Sequence, residues 1–234
     1  MEITTLQATD YVGISFWIVT AAMLASTLFF VIERGTVVAH WRTSLSVAAL
    51  VTGIAAWHYL YMRGVWISTG DSPTVYRYID WFLTVPLQIV EFYLILAAVT
   101  VVRAALFWKL LIASLVMLLG GYFGETGILL GVWPGFIVGT IAWVYIIYEV
   151  FFGEASQVNA GSGSEASQMA FNILRWIVTV GWSIYPIGYI VGYAGGTTDA
   201  GMLNLIYNYA DFINKIAFGL AIWAAAMKDT RAKA

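Results

Sequence analysis

A bundle of seven transmembrane helices is the fold class this sequence predicts, all-α, and three observations predict it. The 234-residue chain is 61% hydrophobic and 10% charged, with a mean hydropathy of +0.83, whereas a soluble domain carries about 25% charged residues. Apolar runs long enough to cross a bilayer recur seven times. The short segments between them hold nearly all the charges and turn residues, the division expected when each span satisfies its own backbone in lipid and leaves the loops to water. Residues 1–234 therefore read as a single transmembrane domain.

Composition also excludes. A net charge of −2 is too small to point to nucleic acid or to a polybasic grip on a lipid surface, so membrane lipid is the expected surrounding and nucleic acid is not a partner. Two histidines and no cysteine leave no thiolate metal site, disulfide or redox dithiol, and no metal is expected. The first ten residues have no basic n-region followed by a short apolar stretch, so the chain reads as mature, with a signal peptide either lacking or already removed.

Taken in order, the spans fall near residues 11–33, 43–62, 75–98, 105–123, 128–152, 169–193 and 203–227. The second carries His58, five residues before Arg63. The third holds Arg77, Asp80, Thr84, Gln88 and Glu91. Glu125 at the outer end of the fourth reads as a surface carboxylate, with proton exit as its alternative role. Between the fifth and sixth, Gly153 to Gln168 is rich in Gly, Ser, Ala and Gln and reads as a flexible, exposed loop. The sixth carries Trp182, Tyr185 and Tyr189 with Pro186 among them, and the seventh carries Tyr207, Asp211 and Lys215.

Orientation follows from the basic residues. With the N-terminus outside, Arg34, Arg42, Arg103, Lys109, Arg175, Lys228, Arg231 and Lys233 lie at cytoplasmic ends, and Arg63 alone lies at an outer end. That asymmetry predicts N-out, C-in. Trp41, Trp66 and Trp133 near span ends fit interfacial belts, and Arg63, Asp71, Glu149, Glu154, Glu165 and Asp199 read as solvated ends.

The charges left inside the membrane carry the functional information. A lysine near mid-span costs roughly 2.5–3.5 kcal/mol on the insertion scale, and Lys215 has Asp211 one turn before it on the same face. These residues alone allow a buried ion pair or an amine used chemically as an imine. Asp80 and Glu91 are eleven residues apart, which is three turns plus about 20° and about 16 Å along the axis. With Arg77, Thr84 and Gln88 they form one polar stripe through an apolar helix, and a structural helix has no use for such a stripe. By depth, Lys215 lies between Asp80 and Glu91, with Asp80 and Asp211 on its outer side and Glu91 on its cytoplasmic side. His58 comes to the depth of Asp80. Trp81, Trp182, Tyr185, Tyr189 and Tyr207 are the walls that a long, flat apolar ligand on Lys215 would need.

Four segments together resemble the microbial (type 1) rhodopsins, and among them the proteorhodopsins. They are Ala56-Trp-His-Tyr in the second span, Arg77-Tyr-Ile-Asp-Trp-Phe-Leu-Thr-Val-Pro-Leu-Gln-Ile-Val-Glu-Phe-Tyr in the third, Trp182-Ser-Ile-Tyr-Pro in the sixth and Tyr207-Asn-Tyr-Ala-Asp-Phe-Ile-Asn-Lys in the seventh. The resemblance implies all-trans retinal attached to Lys215 as a protonated Schiff base. Asp80 matches the counterion and proton acceptor, Asp211 the second counterion, Arg77 the arginine beneath them and Glu91 the cytoplasmic donor. The trio Asp80, Thr84 and Glu91 matches outward proton pumps. His58 matches the histidine that hydrogen-bonds the acceptor, and Trp81, Trp182, Tyr185 and Tyr207 line the chromophore. Gln88 matches the position where glutamine marks blue-absorbing members and leucine green-absorbing ones.

The implied activity is light-driven outward proton transport in a bacterial inner membrane, without enzymatic turnover, by a homo-oligomer, pentamer or hexamer. The alternative is a slow-cycling retinal photosensor signalling to a partner. The carboxylate at Glu91 favours the pump, because a sensor gains nothing from fast reprotonation. Chloride and sodium pumps are disfavoured by the acidic Asp80 followed by Thr84 and Glu91.

Overall fold

The computed structural model describes residues 6–161, 164–193 and 199–233. Among these the secondary structure is helical, with no strand. The first five spans are α1 (Tyr11–Glu33), α2 (Arg42–Thr69, entered through a 3-10 turn at Ala39–Trp41), α3 (Thr74–Ala97), α4 (Ala104–Thr126) and α5 (Val132–Phe151), and α6 (Glu154–Gly161) follows α5 closely. The sixth span is α7 (Glu165–Trp176), a π-helical turn (Ile177–Gly181) and α8 (Ile184–Tyr193), and the seventh is α9 (Ala200–Ala232). Seven helical stretches are long and apolar enough to cross a membrane. At 1.5 Å per residue the 23 residues of α1 reach about 35 Å, which clears a hydrocarbon core of about 30 Å.

Consecutive spans pack on one another, and α9 closes the ring by lying against α1, α2, α7 and α8. Just over half of the apolar stretch is buried in the second, third and seventh spans (56% each), against 28–33% in the other four. Polar chemistry placed on α2, α3 and α9 is therefore kept from lipid. The outward faces carry large apolar side chains such as Leu24, Leu28 and Ile32 on α1 and Ile137 and Ile141 on α5, a surface that only hydrocarbon would solvate.

Helix ends extend past the apolar runs where capping permits. Asp10 accepts from Gly13 N at 2.8 Å and Asp199 from Met202 N at 2.9 Å, each satisfying an orphan donor of a first turn. Gly70 (φ 72°) and Gly127 (φ 67°) end α2 and α4 in the left-handed conformation that glycine takes without penalty.

The segment from Gly153 to Gln168 corrects the reading of a flexible loop. Residues 154–161 and those from 165 onward are helical, Ser164 caps α7 by accepting from Ser167 N at 3.1 Å, and residues 162 and 163 lie outside the described ones. The small residues that suggested a linker are the ones that pack: Ala155, Ala166 and Ser167 are buried. Ends of other spans are also more built than expected. Trp41 is buried, not interfacial, and donates to Asp229 at 3.0 Å. Glu149 is buried, not solvated, accepting from Lys109 at 3.3 Å and from Glu154 N at 3.2 Å.

Pro186 has no N–H to give, and the sixth span is irregular on its N-terminal side: Trp182 N bonds Ile177 O five residues back at 2.9 Å. Side chains from both neighbours bond backbone carbonyls of the turn. Trp143 on α5 donates to Val178 O and Asn214 on α9 donates to Gly181 O, both at 2.9 Å.

Glycines bring the backbones of α4 and α5 close together. A Cβ on Gly135 would stand 2.6 Å from Gly120 O and 2.7 Å from Gly124 N, and one on Gly120 would stand 2.7 Å from Gly139 N. Backbone cannot yield as a flexible side chain does, so these glycines set the distance between the two helices. Gly135→Ala should cost about 1–3 kcal/mol by overpacking, read as a lower temperature for loss of helical circular dichroism in micelles. An unchanged transition would mean that the seam opens freely.

Candidate functional site: a buried lysine between two carboxylates

The sequence spacing places the charges, and packing brings them together. On α3 the stripe Arg77, Asp80, Thr84, Gln88, Glu91 is buried along its whole length, with no residue above 2% exposure. On α9 steps of four, three and four residues set Asn204, Asn208, Asp211 and Lys215 on one face in the same way, again none above 2%. The two stripes face each other across the bundle axis, joined at Lys215.

Lys215 Nζ donates to Asp80 Oδ2 across the helices and to Asp211 Oδ2 at 3.1 Å along its own helix. Asp211 is the better supported carboxylate: it accepts from Tyr185 at 2.7 Å, Tyr59 at 2.9 Å and Trp81 Nε1 at 3.1 Å. Asp80 is served less well, because Oδ1 has no hydrogen-bond partner among the described residues. Two cations, Lys215 and Arg77, balance two anions, so the cluster is neutral overall, and in a dry interior that balance is what makes it tolerable.

His58 does not make the expected hydrogen bond to Asp80. Its Nδ1 lies 2.9 Å from Ile54 O one turn earlier on α2, and 3.9 Å from Asp80 Oδ1. The local carbonyl holds the ring, and the aspartate remains a near neighbour. Thr84 likewise turns inward on its own helix, donating to Asp80 O at 3.0 Å. Arg77 makes no ion pair among the described residues; it donates to Asn204 at 2.8 Å, Asn208 at 2.9 Å and Tyr59 OH at 3.3 Å.

Next to Lys215 a cavity opens toward α4 and α5. Trp81, Gln88, Trp182, Tyr185, Tyr189 and Tyr207 line it with Lys215, so all the residues expected at a ligand wall share one space. Met117, Leu118, Gly121, Gly139 and Trp143 complete it from α4 and α5. Trp81 meets Tyr185 and Tyr207 edge to face at 5.2 Å, a stiff arrangement suited to holding a flat ligand. Gln88 Nε2 on the wall has no hydrogen-bond partner among the described residues. Glu91 lies apart, about one helical turn beyond Gln88 toward the C-terminal end of α3, fully buried, with the Ser44 side chain of α2 as its polar neighbour.

Glu125 corrects a reading. It is not a surface carboxylate: it lines the cavity and accepts from Tyr78 at 2.9 Å, Tyr207 at 3.0 Å and Tyr193 at 3.2 Å. Tyr59, Asn204, Asn208, Trp143 and Asn214 were also unanticipated. The signal for the two asparagines was present, since they continue the polar spacing of Asp211 and Lys215 toward the N-terminal end of α9. Tyr59 closes the Ala56-Trp-His-Tyr segment without any sign of its partner, and nothing in the sequence marks Trp143 among 11 tryptophans.

Fold and site together define a seven-helix membrane protein with a buried lysine, paired to two carboxylates, at the edge of an aromatic cavity. The chain belongs to the bacteriorhodopsin-like protein family, whose sequence pattern matches residues 10–229. It is 60% identical over 226 residues to a green-light absorbing proteorhodopsin of Gamma-proteobacterium EBAC31A08, covering 96% of this chain and 90% of that one. It is also similar to the crystal structure of a blue light-absorbing proteorhodopsin from Med12, with a TM-score of 0.83, 64% identity and coverage of 94% and 100%. Xanthorhodopsin, described as a light-driven ion pump with dual chromophore, superposes with a TM-score of 0.82 at 28% identity, over 97% of this chain and 98% of its own.

Proposed function

We propose that this protein is a light-driven proton pump that carries retinal on Lys215 and moves protons from the cytoplasm to the outside across a bacterial inner membrane. The observation that supports this most is the lysine's position: Nζ is bonded to Asp80 and Asp211 and lines the aromatic cavity, with Glu91 buried separately on the same α3 stripe. A structural ion pair would need neither the cavity nor the second carboxylate. The group fits these residues, since the cavity is walled by aromatic rings and the one nitrogen able to hold an aldehyde covalently reaches it.

Retinal supplies the absorption of light and a shape change on excitation; the protein supplies the proton path. Asp211, with donors from three other side chains, remains the fixed counter-charge. Asp80, with one oxygen on Lys215 and the other unpartnered, is the carboxylate with capacity to take the Lys215 proton. Glu91, fully buried on the same α3 stripe and in no ion pair among the described residues, is the carboxyl available to return a proton to Lys215 from the cytoplasmic side. Asp80 and Glu91 are separated by about 16 Å along α3, so loss on one side and refilling from the other gives net movement. The asymmetry of basic residues sets the direction, placing the Glu91 end in the cytoplasm.

Residues 1–234 act as one retinal-binding domain, and a homo-oligomer, pentamer or hexamer, belongs to the same reading on the resemblance alone. Blue absorption is assigned to Gln88: a fixed amide on the cavity wall stabilises the ground-state charge distribution more than the excited one.

Illuminated vesicles or cells holding the protein with all-trans retinal should acidify the outer medium. The change should vanish with a protonophore and in Lys215→Ala; a coloured protein giving no light-dependent pH change would sink the pump and leave a photosensor. Glu91→Gln should keep the colour and slow photocycle recovery by about 10²-fold, measured by flash absorption. An unchanged rate removes Glu91 as donor. Gln88→Leu should move the visible band toward green, and an unmoved spectrum refutes the tuning role.

A further inference from the structure

The seat of Arg77 is unlike that of a counter-charge. Its guanidinium, 1% exposed, meets no carboxylate among the described residues. Nη2 donates instead to two neutral amide oxygens one turn apart on α9, Asn204 Oδ1 at 2.8 Å and Asn208 Oδ1 at 2.9 Å. The Asn208 amide cannot turn round freely, because its Nδ2 donates to Ser15 Oγ on α1 at 2.8 Å while Ser15 itself donates to Val12 O at 2.7 Å. Its oxygen is thus held toward the arginine. On the inner side Nη1 donates to Tyr59 OH at 3.3 Å, and that hydroxyl donates to Asp211 at 2.9 Å. Arg77 therefore reaches the counterion through one hydroxyl.

We infer that Asn204 and Asn208 are positioning residues for proton transfer: they hold Arg77 on neutral acceptors, out of direct contact with either carboxylate, and so set how readily Asp80 takes a proton. Amide oxygens can bind a guanidinium without neutralising it, which a carboxylate cannot do. The field of the full charge then acts on Asp80 and Asp211 from a fixed distance, in a medium where such fields are weakly screened. The other groups facing Asp80 are Lys215 and Asp211 on α9 and His58 and Tyr59 on α2, with Tyr185 on α8 bonded to Asp211. Glu125 on α4 faces the arginine's side through Tyr207, whose ring lies 5.5 Å from the guanidinium.

This inference rests on Asp80 being the acceptor, and one experiment separates the two. The full-length protein, coloured with all-trans retinal, is titrated in the dark, and the midpoint of the pH-dependent colour change reports proton uptake by Asp80. Asn208→Asp places a charge that cancels Arg77 locally, and should raise the midpoint by about one pH unit, a tenfold change in proton affinity. Asn208→Leu removes one seat and lets the guanidinium move toward the carboxylates, and should lower the midpoint. A merely structural asparagine would change thermal stability and leave the midpoint in place. Unmoved midpoints, or two shifts of the same sign, overturn the inference alone; a wild-type protein without a colour transition overturns the Asp80 assignment with it. If either variant fails to form pigment, Asn204→Asp and Asn204→Leu carry the same pair of expectations from the other oxygen.

Discussion

A cationic nitrogen in the dry middle of a bundle is the constraint to which the rest of this molecule answers. Lys215 is 2% exposed, and an unpaired charge at that depth would be costlier than anything a few apolar contacts could offset. It is held by two carboxylates from two helices, one of them braced by Tyr59, Tyr185 and Trp81. Four helices thus converge on one charge, and those carrying the buried stripes, α3 and α9, must be the inner ones. The surrounding spans cover them, which is why α1, α4 and α5 spend their apolar faces on lipid.

The two carboxylates are chemically alike and differ only in their neighbours. Asp211 accepts hydrogen bonds from three other side chains, so adding a proton to it would break favourable interactions. Asp80 keeps one oxygen without a hydrogen-bond partner among the described residues and stands 3.9 Å from His58. An asymmetry of this kind is what a directional device requires, since one group must stay charged while the other changes. The aromatic side chains have two duties here: Trp81 and Tyr185 line the cavity with their rings and bond Asp211 with their polar tips.

Irregular backbone and close seams gather near the same place. The π turn at Ile177–Gly181 is bonded by Trp143 and Asn214, the latter adjacent to Lys215 in sequence. On the opposite wall the glycines of α4 and α5 bring two backbones together and leave room beside Gly121 and Gly139 for the cavity. Both features concern space around the lysine rather than the pairing of charges.

The sequence by itself determined the seven spans, the two polar stripes and the grouping of Asp80 and Asp211 about Lys215, with Glu91 further along the same α3 face. Hydropathy and helical period are local properties, and a charge inside an apolar run is conspicuous wherever it falls. The tertiary structure alone decided the hydrogen bonds. It turned His58 Nδ1 to Ile54 O, set a half-buried Glu125 among three tyrosines, buried Trp41 and Glu149, and made helices of a Gly/Ser-rich stretch whose small residues pack. Each of these depends on which side chain from a distant span arrives within about 3 Å. Spacing along one helix says which face a residue occupies, and only the packing of the other helices says what that face meets.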